Sequence, residues 1–168
     1  MRESTRATLT DGLYTGLVGY GVVVLSLALV NVARGQSPFY TAALFGSTLF
    51  YGLDDPAALQ VAAGPVLAYN MVHLLVFLAL GFFTSWLVTV AERYPVTRFL
   101  VLFTLIFVAG HVYGALLLFA QPLLAEAAWW QIGVASALAA VAMAGYLLHA
   151  HPALRRSLRE IPIGAEAD

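Results

Sequence analysis

Residues 12–33 read GLYTGLVGYGVVVLSLALVNVA, 22 positions without one Asp, Glu, Lys or Arg. A helix needs about 20 mostly apolar residues to cross the hydrocarbon core of a bilayer, so this stretch reads as a membrane span. Three more stretches qualify: 66–91, 99–120 and 129–148, each with charge only at its ends. The pattern predicts four spans.

Composition agrees. Of 168 residues, 61% are hydrophobic and 10% charged, against about 25% charged in an ordinary soluble domain. One small globule cannot hide that much apolar surface, so the outside must face an apolar solvent. The expected class is an all-α polytopic membrane protein forming one integral domain over residues 1–168, with the lipid bilayer as its first partner. A net charge of -1 excludes a nucleic-acid footprint, which needs clustered basic residues. The chain has no cysteine, which removes disulfides, thiolate metal sites and cysteine nucleophiles. All eight basic residues are arginine, so lysine chemistry is absent too.

The arginines set the expected orientation, because cytoplasmic loops carry the excess of basic residues. Arg2 and Arg6 precede the first span, Arg93 and Arg98 lie between the second and third, and Arg155, Arg156 and Arg159 follow the fourth. Only Arg34 falls on the other side. Both termini are therefore expected in the cytoplasm, in a cell inner (plasma) membrane. The first apolar run exceeds the 7–15 residues usual in a signal peptide, so it is expected to stay as a span.

Between the first two spans, residues 37–62 form an outer loop with helical signals. Ser37 before Pro38 reads as a helix cap with proline at the first helical position. The apolar-aromatic run that follows, to Gly52, is too short to span and suits an interfacial or re-entrant helix covering the bundle mouth. Asp54-Asp55-Pro56 restarts a short helix, and Gly64-Pro65 marks entry to the second span. In the tail, 152–168, Leu154, Leu158 and Ile161 share one face and Arg155, Arg156 and Arg159 the other, an amphipathic membrane-surface helix. The full expectation is a four-transmembrane-helix bundle with that outer loop and tail.

In lipid, helices associate through close backbone approach at small residues. Gly12/Gly16 and Gly110/Gly114 are G-x-x-x-G pairs, and the fourth span is rich in Gly, Ala and Ser. Packing within the bundle is the favoured use, ahead of a homo-oligomer.

Polar groups within spans usually face the bundle interior. Asn70, His73, Phe77, Gly81 and Thr84 share one face of the second span; Thr104, Phe107, His111 and Ala115 share one of the third. Counted from the loops, His73 and His111 differ in depth by about 5 to 9 Å. Two imidazoles on facing helices suit the axial ligands of a haem b, and Gly110 and Gly114 leave room for a flat macrocycle. In helix count and this histidine pair the chain resembles the small four-helix cytochrome b anchors of respiratory complexes. The plainer reading pairs His73 with Asn70 or Tyr69 and His111 with a neighbour by hydrogen bonds. A quinone, lipid or substrate pocket is a third.

Trp129 and Trp130 suit an aromatic belt, and His149 and His151 read as interfacial histidines, too few for a metal site. No phosphate-binding, zinc-protease or serine-hydrolase motif occurs, and the apolar spans offer no carboxylate for a proton relay. No catalytic residue and no metal ligand is expected. Three functions compete: a non-enzymatic subunit or accessory protein of a larger membrane complex, favoured; a haem b module using His73 and His111; and a small oligomeric transporter or channel.

Overall fold

The computed structural model describes residues 2–94 and 129–160, and all regular structure among them is helical. Five α-helices are described: α1 (Arg2–Ala33), α2 (Tyr40–Tyr51), α3 (Ala63–Arg93), α4 (Trp129–Ala150) and α5 (Pro152–Glu160), with a 3₁₀ turn at Pro56–Ala58. Among the described residues, three stretches are long and apolar enough to cross a membrane: Arg6–Ala33, Ala63–Arg93 and Trp130–Ala150. The expected third span, 99–120, lies outside the described residues, as do His111, Gly110 and Gly114.

The helix ends follow local chemistry. α1 closes in a Schellman motif: Gly35 is left-handed at φ 72°, its N–H reaches Val32 O at 2.9 Å, and Gln36 N–H reaches Asn31 O at 2.9 Å. Only glycine adopts that conformation without cost. At α2 the expectation is off by two residues: the helix begins at Tyr40, not Pro38. Phe39 holds the N-cap position without a side-chain bond, and Ser37 does not cap the helix: its Oγ accepts from Phe39 N at 3.3 Å and its carbonyl from Tyr40 N at 2.9 Å, closing a turn that precedes it. Asp55 caps the 3₁₀ turn as expected, accepting from Ala57 N at 2.9 Å. α3 takes in Gly64-Pro65 in its first turn and stops at Tyr94, immediately before Pro95, where proline disfavours helical backbone.

α1 is the hub. It packs along both α3 and α4, which barely meet each other, while α2 packs on the first half of α3. The α1–α3 crossing is close because it is made of glycine. A Cβ on Gly16 would come within 2.7 Å of Phe77 O and 2.9 Å of Leu78 Cα; one on Gly12 would meet Phe82 Cα at 2.8 Å. A Cβ on Gly81 would drive into the Gly12 carbonyl and lie 2.5 Å from Gly16 N. The Gly12/Gly16 pair thus packs within the chain. Apolar clusters fill the remaining contacts: Val23 with Ala135 and Ala139 between α1 and α4, and Leu44 and Phe45 of α2 against Tyr69 and Ile132.

Outward faces are strongly apolar. Leu29 is 71% exposed, Val141 72% and Leu25 65%, and such surfaces call for lipid or a partner in place of water. The architecture is that of a chain compatible with a small, multi-pass integral membrane protein.

Candidate functional site

Three polar layers lie along the helices. The first is an aromatic ladder built on one face of α3, where i+3/i+4 spacing aligns Tyr69, His73 and Phe77. The His73 ring stacks on Tyr69 at a centroid distance of 5.1 Å and 21° and meets Phe77 edge-on at 5.0 Å and 65°. Phe45 of α2 continues the ladder beyond Tyr69 at 5.5 Å, and Tyr20 of α1 flanks His73 at 6.3 Å. His73 Nε2 is buried and has no hydrogen-bond partner among the described residues. That nitrogen is a common metal ligand and can equally meet a polar group on an organic ligand.

The expected bond from His73 to Asn70 or Tyr69 is not formed. Asn70 is already engaged: its Oδ1 accepts from the Tyr20 hydroxyl at 3.0 Å and its Nδ2 donates to Val66 O at 2.8 Å. Both partners follow from a half-buried phenol and amide, each requiring satisfaction in an apolar medium. Tyr20 was absent from the expected site. Its hydroxyl in mid-span was the available signal, but its partner depends on inter-helix register. Of the expected set, His73, Asn70 and Phe77 come together; Gly81 belongs to the α1 crossing, and Thr84 bonds back to Leu80 O at 2.9 Å within its own helix.

The second layer ties down the α1–α2 connection. Asn31, 2% exposed, donates to Pro38 O at 3.2 Å and accepts from Thr41 Oγ1 at 2.9 Å. Arg34 Nη1 donates to Gln131 Oε1 at 3.4 Å, linking α1's end to α4.

The third layer lies at the opposite end. His151, at the α4–α5 junction, has Nδ1 3.1 Å from Glu92 Oε2 of α3 and Nε2 3.5 Å from Asp11 Oδ2 of α1. Tyr146 donates to Asp11 Oδ1 at 3.4 Å. The expectation of two similar interfacial histidines is corrected here: His149 is exposed, whereas His151 is drawn in between two carboxylates. Asp11 also falls inside the apolar stretch Arg6–Ala33, because α1 begins ten residues earlier than the predicted span and carries Asp11 within the helix. Nearby, Ser85 Oγ donates to Thr8 O at 2.9 Å and Thr8 Oγ1 lies 3.1 Å from Thr89 Oγ1. A groove of about 360 Å³ opens there, lined by Leu9, Phe82, Trp86, Val90 and Arg93 among others.

Among the described residues, no group of three or more His, Cys, Asp or Glu side chains is arranged to hold a metal ion. No protein-family model matches the sequence, and comparison with curated proteins and with solved structures finds no match.

Proposed function

We propose that the protein is a non-enzymatic subunit or accessory protein of a larger assembly in the cell's inner membrane. The observation behind this reading is where the polar groups go. Tyr20–Asn70, Ser85–Thr8, Thr41–Asn31, Arg34–Gln131 and Tyr146–Asp11 each join one helix, or its end, to another. A catalyst or carrier keeps polar groups pointed at a substrate; these five pairs hold the scaffold instead, while the broad apolar outer faces of α1, α3 and α4 are suited to lipid and to neighbouring helices. In this reading residues 99–120 form a fourth span, α2 lies at the outer interface, α5 is an amphipathic helix at the cytoplasmic surface, and both termini are cytoplasmic. Mild solubilisation of the tagged chain from its native membrane tests the role. Co-purification of a stoichiometric membrane partner is expected, and a monodisperse protein without one would overturn it.

A second reading is favoured by His73 Nε2, buried without a partner between aromatic rings. It makes His73 an axial ligand of haem b, with His111 as the other. Haem-supplemented protein should then show a Soret band that is lost in His73→Ala; a featureless spectrum removes this reading.

A further inference from the structure

We infer that His151 is the pin of a protonation-dependent latch that holds the C-terminal helix α5 against the rest of the protein. Both ring nitrogens face carboxylates at ion-pair distance, Nδ1 to Glu92 at 3.1 Å and Nε2 to Asp11 at 3.5 Å, the buried Nε2 making no hydrogen bond, so the Asp11 arm is held by charge alone. A neutral imidazole carries one N–H and one lone pair, so only the imidazolium presents a proton to both sides. Loss of a proton leaves one carboxylate opposite a lone pair and opens that arm. The two carboxylates lie at opposite nitrogens, so one metal ion cannot collect both together with the ring; the bridge is suited to a proton.

The latch is placed where it has leverage. Its three side chains are only 12%, 20% and 26% exposed, and they come from α1, α3 and the α4–α5 junction. Other titratable and charged groups around it are Tyr14 and Tyr146, whose rings pair at 6.2 Å, with exposed Arg93, His149 and Arg155 at its margin. Pro152 follows immediately and has no N–H, so the helical ladder breaks at that point: His151 N bonds Leu147 O at 2.8 Å behind it, and Arg155 N bonds His151 O at 3.2 Å ahead of it. His151 is both bridge and hinge. Beyond it, Leu154 against Leu87 and Ala91 is the apolar contact that seats α5, while Arg155, Arg156 and Arg159 face outward. Opening the bridge leaves α5 free to swing about Pro152 and re-aim that arginine face.

The inference stands apart from either functional reading. Since the chain has no cysteine, spin labels at Ala7→Cys on α1 and Arg159→Cys on α5 report the α5 position in the reconstituted full-length protein. A second pair, Leu25→Cys and Leu67→Cys, reports whether α1 and α3 remain packed and should stay narrow throughout. Pulsed distance measurements are made at about pH 5 and about pH 9, either side of the range in which imidazoles commonly titrate. A narrow α1–α5 distribution at acidic pH that broadens or shifts at alkaline pH is expected. His151→Gln should be broad at both, and His151→Arg, which keeps a charge and donors on several sides, narrow at both. An unchanged wild-type distribution, or a narrow one in His151→Gln, overturns the latch. Alkaline broadening shared by His151→Arg assigns the movement to another group and overturns it as well.

Discussion

Asn70 illustrates what one position can disclose. Its place on the His73 face follows from α-helical spacing alone; its hydrogen bond to Tyr20, 50 positions earlier, depends on how α1 and α3 slide past each other, which periodicity does not encode. Replacing Tyr20 by Phe removes that bond and should cost about 0.6 kcal/mol, the typical worth of an inter-helix hydrogen bond in lipid, read by equilibrium unfolding in mixed detergent. Glycines give a sharper contrast. Gly81→Val places side-chain atoms into the α1 backbone and should destabilise by about 1–3 kcal/mol or more, as overpacking does. Gly21→Ala meets nothing within 4 Å and should instead raise stability by about 0.5–1 kcal/mol through helix propensity. Equal effects of the two would show that the crossing is not set by glycine.

Among elements, the three apolar helices within the described residues were plain in the sequence because a long uncharged run has few alternatives to a helix in lipid. Their ends were less so. Polar residues such as Glu3, Arg6 and Thr8 are as compatible with helix as with coil, and α1 therefore runs back to Arg2, ten residues before the apolar stretch. α2 was legible as a short helix too brief to cross, yet its seating was not. The buried run Thr41, Ala43, Leu44, Phe45, Gly46 and Ser47 faces three different helices, a relation no local pattern carries. Thr41→Val should leave Asn31 Oδ1 without its donor inside a buried site, at a cost of about 1–3 kcal/mol. Faster amide exchange across α2, with the middle of α3 unchanged, is the expected signature; uniform exchange would mean that α2 is held elsewhere.

For the whole molecule, the charge pattern yields a topology that labelling can check. Single cysteines at Ala7 and Arg159 should both react with a membrane-impermeant reagent only when the cytoplasmic face is exposed; labelling of the two from opposite sides would refute the paired-termini arrangement. The His151 cluster was legible in principle from this topology, since Asp11, Glu92 and His151 all fall at one end of their respective apolar runs. Each looked like an ordinary boundary residue taken singly, and only the packing brings the three together. The His73 site is different: helical spacing put Asn70, His73 and Phe77 on one face, whereas Tyr20 and the aromatic enclosure depend on packing between helices.

The helices are also of unequal length. α1 has 32 residues and α3 has 31, about 48 and 46 Å at the α-helical rise, whereas α4 has 22, about 33 Å. Asp11 stands level with His151 just past the end of α4, so the first nine described residues of α1 project beyond that level by about 14 Å. That extension is braced rather than loose, since Thr8 bonds Ser85 and Thr89 of α3, so only the turn before Thr8 is left for a protease to grip.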